Sequence, residues 1–108
     1  MEVNEQQIMT IIGAAGTAKA KAFGALGKVR ERDYEGARAL LAEAKEADLQ
    51  AHRVQTEIIT AALSGQDETA SNLLMVHAQD HYMTSQLARD LIAEIVDIFE
   101  ARDAEQAT

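Results

Sequence analysis

The chain has 108 residues, of which 47% are hydrophobic but only 4% are aromatic, and alanine alone occupies 21 positions. Its net charge of −8 disfavours binding to nucleic acid or to an anionic membrane. Cysteine is absent, which excludes disulfides, thiolate metal sites and cysteine nucleophiles. Because it has no signal-peptide pattern and no apolar run of about 18 residues, we expect one soluble, cytoplasmic domain.

Apolar residues recur at helical spacing through three long segments, and no segment alternates as a β-strand does. The helices are predicted at about residues 3–32, 34–64 and 67–102, and an acidic, unpatterned tail at 103–108. Asp33 is placed to cap the second helix, Gly65 to end it in a left-handed conformation, and Asp67 to cap the third. Because short connections make neighbouring helices antiparallel, we predict an all-α, up-down-up three-helix bundle spanning 1–108 as one domain.

The first helix contains glycines that each cost about 0.5–1 kcal/mol relative to alanine. They are Gly13, Gly16, Gly24 and Gly27. The first explanation is a close approach between helices; the alternative is that residues 13–19 line a site where a ligand or partner needs room. This segment is not a phosphate-binding loop, because no strand precedes it and no Gly-Lys-Ser/Thr sequence follows it. Lys19 and Lys21 are expected to be solvated surface charges.

The third helix carries two histidines and an aspartate within an apolar stripe. At about 100° per residue, four apolar residues fall within about 60° of Asp80: Leu73, Val76, Met83 and Leu87. One flank of this stripe carries His77, His81 and Thr84. An unpaired carboxylate in an apolar seam costs several kcal/mol, so Asp80 requires a cation, a proton, or copies of itself around a metal. The stripe therefore predicts contact with another helix.

The polar residues admit several interpretations. His77 can be a hydrogen-bonded core residue, His81 can join it in a metal pair, and Asp80 can be a structural residue that sets the oligomer state. No glutamate stands where a zincin has its hydrolytic base. His52, on the second helix, is typical of a partly exposed surface residue. A histidine nitrogen can also attack phosphorus and carry a phosphoryl group, provided that neighbours fix its tautomer and bind the phosphoryl oxygens.

Two sequence runs resemble the IIA component of the lactose/cellobiose family of the bacterial phosphoenolpyruvate-dependent sugar phosphotransferase system. They are Val76-His77-Ala78-Gln79-Asp80-His81-x-Met83-Thr84 and, on the preceding helix, Ala51-His52-x-x-Gln55-Thr56. The likeness extends from about residue 5 to 100, and the segment from Ser85 to Ile92 is more similar to the cellobiose/chitobiose branch than to the lactose branch. Thr17 departs from the family, which commonly has Asp, Asn or Glu there.

The resemblance implies a role for each matched residue. His77 would accept a phosphoryl group from HPr and pass it to a cysteine of the IIB component, serving the uptake of a β-linked disaccharide such as cellobiose or chitobiose. Asp80 would meet two symmetry mates around a shared Mg²⁺ in a homotrimer built through the third helix. Gln79 and His81 match polar neighbours of the phosphorylated residue, and His52 matches a position where the family often has histidine.

Two other function classes remain open. A structural or adaptor bundle, whose polar seam sets only the oligomer order, predicts no phosphate incorporation. A small metal-binding helical protein with His77, Asp80 and His81 as ligands predicts one transition-metal ion per chain. A shared aspartate site instead predicts about one hard cation per three chains.

Overall fold

Three long helices form the molecule in a computed structural model that describes residues 2–64 and 73–107. They are α1 (Glu2–Arg30), α2 (Tyr34–Leu63) and α3 (Leu73–Ala107), and the described residues contain no strand. The bundle is a rod of 61 × 18 × 18 Å. The predicted all-α, up-down-up topology is confirmed, since α1 and α3 run parallel and α2 runs antiparallel to both. None of the described helices is long and apolar enough to cross a membrane.

The end of α1 is a hydrogen-bonded reversal that closes the helix two residues before the predicted end. Arg32 adopts a left-handed conformation with φ of 61°. Its amide donates to the carbonyl of Val29 at 2.9 Å, and the amide of Asp33 donates to the carbonyl of Lys28 at 2.9 Å. This pair of bonds is the Schellman arrangement, with arginine where glycine is usual. The sequence gives no signal for it, because no glycine stands at that position.

The start of α2 confirms the predicted cap. The Asp33 carboxylate accepts a hydrogen bond from the amide of Gly36 at 2.8 Å, and the Asp33 carbonyl accepts one from the amide of Ala37 at 3.0 Å. A methyl group on Gly36 would meet that carboxylate, so another residue there would make the exposed Asp33 side chain shift.

The later boundaries agree with the sequence in part. α2 ends at Leu63, close to the predicted residue 64. The predicted roles of Gly65 and Asp67, and the predicted start of the third helix at 67, lie outside the described residues. The predicted unpatterned tail is wrong for residues 103–107, since α3 continues to Ala107. Alanine has the highest helix propensity, and this acidic segment is alanine-rich and contains no helix breaker.

The core is thin and consists of two apolar clusters arranged along the rod. One cluster comprises Ala18, Ala22, Ala25, Val29, Ala37, Leu41, Ala44, Ile92 and Val96. The other comprises Ile8, Ile11, Ala14, Ala51, Ile58, Met75, Ala78 and Tyr82. Alanines let the helices approach closely but bury little apolar area, which agrees with the small aromatic content of the sequence.

A buried polar layer, formed by Asp48, Ser85 and Arg89, lies between the two clusters. Asp48 is only 2% exposed, and its Oδ1 accepts a hydrogen bond from the Ser85 hydroxyl at 2.8 Å. Nη1 of Arg89 lies 3.6 Å from Oδ2 of Asp48, which has no hydrogen-bond partner among the described residues. Burial raises the pKa of Asp48, although the Ser85 hydrogen bond and the Arg89 charge both oppose the rise. The sequence analysis did not single out this layer.

Candidate functional site

α3 has two apolar faces on opposite sides. One face is buried in the bundle and includes Met75, Ala78, Tyr82, Ile92 and Val96. The opposite face, here called the outer stripe, consists of Val76, Asp80, Met83, Leu87 and Leu91, and all five are exposed. Its apolar side chains are between 56% and 65% exposed. A row of exposed apolar side chains of this length is typical of surfaces that contact another molecule.

The two histidines predicted as site residues contact each other beside the outer stripe. Their Nε2 atoms lie 3.1 Å apart, and the rings meet edge to face with centroids 4.4 Å apart. His77 is exposed, whereas His81 is half-buried and its Nδ1 has no hydrogen-bond partner among the described residues. One Nε2 must carry a proton and the other a lone pair. The contact therefore fixes the protonation of one ring relative to the other.

A lysine from α1 reaches the same flank of α3. Nζ of Lys19 donates to the hydroxyl of Thr84 at 3.1 Å. That hydroxyl in turn donates to the carbonyls of Asp80 and His81, at 2.9 and 3.2 Å. The prediction that Lys19 is a surface charge agrees with the exposed position of this contact, although its ammonium group is bonded to Thr84. Periodicity shows which residues share a helix face but not which α1 residues face α3, so the sequence placed Lys19 in the segment 13–19 that could line a site but did not identify Thr84 as its partner.

The α1 glycines leave open space rather than permit close helix contact. A methyl group at Gly13, Gly16 or Gly27 would meet no described heavy atom within 4 Å. Only Gly24 supports the close-approach explanation, with Cδ1 of Leu40 at 3.5 Å from the added carbon. Gly16 lies one turn before Lys19, so the open surface continues toward the lysine. The alternative that this segment leaves room for another molecule agrees with the structure.

Two other predicted supporting residues do not lie beside His77 in one chain. His52 contacts Tyr82, with the tyrosine hydroxyl 3.4 Å from Nδ1 of His52. Burial, reinforced by the charge of Asp48, raises the pKa of Tyr82, so this phenol is neutral. Gln79 lies about 200° around α3 from His77, which puts it on the opposite flank of the outer stripe. One chain therefore places His77, His81 and Thr84 along one flank of α3, with Lys19 bonded to Thr84.

A metal site within one chain has no support in the described residues, which contain no group of three or more His, Cys, Asp and Glu side chains able to hold an ion. The two histidine Nε2 atoms contact each other, and Asp80 lies on the outer stripe. Oxygen ligands suit a hard cation such as Mg²⁺, but one carboxylate does not make a site. A metal at Asp80 would therefore need carboxylates from other chains.

Comparisons with known proteins agree over nearly the whole chain. The family model described as "PTS system, Lactose/Cellobiose specific IIA subunit" matches residues 6–100. The N,N'-diacetylchitobiose-specific EIIA component of Escherichia coli K12 is 38% identical over 96 residues, covering 89% of this chain and 82% of that protein. The crystal structure of the cellobiose-specific enzyme IIA from Bacillus anthracis superposes with a TM-score of 0.88 at 32% identity, covering 96% of this chain and 94% of that one.

A solved complex is also similar. It is the solution structure of IIA(Chitobiose) bound to HPr, from the N,N'-diacetylchitobiose branch of the Escherichia coli phosphotransferase system. The TM-score is 0.77 at 33% identity, and the match covers 93% of this chain and 96% of that one.

Proposed function

Since the chain belongs to the lactose/cellobiose-specific IIA family and is a phosphoryl carrier of the sugar phosphotransferase system, we propose that His77 is the residue that carries the phosphoryl group. The single observation behind this assignment is the contact between the two histidines on an exposed flank of α3. His77 is accessible to a partner protein, and His81 is held 3.1 Å away to orient it. The family membership does not favour the structural-adaptor or the metal-binding alternative.

The geometry gives each histidine a chemical role. In the productive tautomer, His77 carries its proton on Nδ1 and presents the lone pair of Nε2, while His81 donates from its own Nε2. The lone pair attacks the phosphorus of phosphorylated HPr, and the bond from phosphorus to HPr breaks as the new nitrogen–phosphorus bond forms. His81 then donates its hydrogen bond to a phosphoryl oxygen. A cysteine thiolate of the IIB component attacks the same phosphorus, and the electron pair returns to Nε2 of His77.

The relay itself can be measured with labelled phosphate. We expect the phosphorylated chain to lose its label to a cellobiose- or chitobiose-type IIB component far faster than to water. A IIB component whose acceptor cysteine is changed to serine is the control. If the label is lost equally to both forms of IIB, the chain is not a link in that relay.

Both partners must reach His77 in turn, so their binding surfaces overlap. We propose that this surface lies on α1 and α3, where Gly13 and Gly16 leave open space near the His77 flank. The net charge of −8 favours partners with basic rims, whose association slows as salt is added. With HPr as donor and IIB as acceptor, we also propose that the chain acts in the cytoplasm.

We further propose that three copies assemble through the outer stripe. This assembly would bury apolar side chains that are more than half exposed in one chain, and it would gather three Asp80 carboxylates. Three carboxylates at close range repel one another, and a Mg²⁺ ion with oxygen ligands would offset that repulsion. Gln79 lies on the flank opposite His77, so a neighbouring copy would bring its Gln79 toward the His77 flank.

Replacing Asp80 with leucine tests this assembly. We expect the Asp80→Leu variant to lose the metal and to stay trimeric, because packed apolar residues are often as stable as a buried ionic cluster. Sedimentation equilibrium gives the mass and elemental analysis gives the metal, at about one ion per three chains before the change. Asp97→Leu is the control. Asp97 lies outside the outer stripe and pairs with Arg38, whose Nη2 is 2.8 Å from its Oδ1, so this variant should keep the metal. A monomer mass for the unchanged chain at micromolar concentration would contradict the proposal.

A further inference from the structure

We propose that Lys19 binds the phosphoryl group carried by His77, exchanging its hydrogen bond to Thr84 for a phosphoryl oxygen. This inference rests on the assignment of His77 as the phosphorylated residue. It adds a phosphoryl-binding cation from a different helix, which neither the periodicity of α3 nor the histidine motif predicts.

Lys19 of α1 is held against the flank of α3 that carries the two histidines. Its Nζ lies 3.1 Å from the hydroxyl of Thr84, and that hydroxyl is anchored to the carbonyl of His81 at 3.2 Å. The ammonium group therefore lies about one helical turn from His81 and about two turns, roughly 10.5 Å along the helix axis, from His77. α1 and α3 are parallel, and helical side chains tilt toward the helix N-terminus. The flexible lysine side chain therefore points along α3 in the direction of His77.

The hydrogen-bond partner of Lys19 is a neutral hydroxyl and not a carboxylate. Five other described cations lie within 4.0 Å of a carboxylate, among them those in the pairs Lys21–Glu43, Arg38–Asp97 and Arg89–Asp48. Within the described residues, Lys19 instead meets only the neutral hydroxyl of Thr84 and lies within 4.0 Å of no carboxylate. An exposed ammonium group held by a neutral hydroxyl is available for an incoming anion.

A phosphoryl group on His77 would add negative charge that a nearby cation can offset. A phosphoryl group brings about 1.5–2 negative charges and three strong acceptor oxygens. The phosphoryl group would be added to a chain with a net charge of −8. His77 directly follows Val76 of the outer stripe, which also carries the Asp80 carboxylate. His81 supplies one hydrogen-bond donor, and the phosphoryl group also requires a positive charge close by. Lys19 would supply that charge, and Thr84 would keep its hydrogen bonds to the backbone after the lysine moves.

The test compares Lys19→Met with Lys21→Met, a matched change two residues away that removes the same charge from the pair with Glu43. Each variant is equilibrated with phosphorylated HPr, and the phosphorylated fraction is measured by mass spectrometry. We expect the equilibrium constant for transfer to fall about tenfold in Lys19→Met, the size expected for a hydrogen bond between charged groups. Lys21→Met should stay within about twofold of the unchanged chain, and Lys19→Arg should restore most of the loss.

A second measurement separates direct contact from a structural effect. The ³¹P resonance of the phosphorylated chain is titrated with pH, and we expect the phosphoryl pKa to rise in Lys19→Met because a nearby cation is lost. The proposal is wrong if Lys19→Met leaves both the equilibrium and the ³¹P titration unchanged, or if Lys21→Met changes them equally. If His77→Ala still accepts phosphate, the His77 assignment fails, whereas an unchanged Lys19→Met beside an inactive His77→Ala overturns only the inference on Lys19.

Discussion

Replacing His77 with alanine is expected to abolish phosphate uptake completely. Incubation with phosphoenolpyruvate, the general enzyme of the system and HPr should add one acid-labile phosphate to each unchanged chain and none to the variant. The reason is chemical, because no other nucleophile on this flank combines an exposed nitrogen lone pair with a neighbouring donor 3.1 Å away. Intact-mass measurement under neutral conditions checks the result.

The other two histidines are the matched controls for that experiment. His81→Ala removes the orienting donor, so phosphorylation should persist but proceed about 10²–10⁴ times more slowly, the range typical for a positioned proton donor or acceptor. His52→Ala should behave as the unchanged chain, because His52 contacts Tyr82 on another side of α3. Phosphorylation of His77→Ala to the same extent as the unchanged chain would show that the assignment is wrong.

Replacing Arg89 with methionine should destabilise the fold by about 3 kcal/mol or more at neutral pH. The change leaves Asp48, 2% exposed, without the one cation that pairs with it among the described residues, and breaking one side of a buried ion pair is far more costly than replacing both sides. At about 4 °C per kcal/mol for a chain of this size, the melting temperature should fall by roughly 12 °C. The double variant Asp48→Leu/Arg89→Met should recover most of the loss. Urea unfolding at one fixed protein concentration compares the three chains.

The pH dependence of that deficit has a defined sign. Burial raises the pKa of Asp48 above its ordinary value of 3.8, so the folded chain binds this proton more tightly than the unfolded chain does. The cost of burying the charge is therefore full above the folded pKa, and it is relieved as the pH falls toward 3.8. We expect the deficit of Arg89→Met to be smaller at pH 5 than at pH 7. A deficit that stays constant would mean that Arg89 stabilises the fold through packing alone.

The sequence predicted the helices and the outer stripe because both depend on periodicity within one helix. The stripe residues Val76, Asp80, Met83 and Leu87 share a face in any straight helix, and His77 and His81 share a flank for the same reason. The left-handed turn at Arg32 could not be predicted, since the conformation arises from the bonds that close α1 and not from a glycine.

Contacts between helices were missed for a physical reason. Lys19 contacts Thr84, and Asp48 contacts Ser85, only because each pair of helices has a particular rotation and axial position. One sequence specifies the apolar face of a helix but not which neighbouring helix a residue at the edge of that face meets. His52 and Gln79 show the converse, since the histidine motif and its resemblance grouped them with His77 although one chain keeps them apart.

The buried polar layer also restricts the folding landscape of this chain. The buried alanines of α1 and α2 constrain the axial position of α3 weakly, because small side chains interlock little, and a slide of α3 by one turn is about 5.4 Å. The slide would, however, carry Ser85 and Arg89 away from Asp48 and leave a buried carboxylate with neither its hydrogen bond nor its cation. Alternative registers are therefore raised in energy even where their packing is equivalent. Through its contacts with Ser85 and Arg89, Asp48 therefore favours a single axial alignment of α3 against α2.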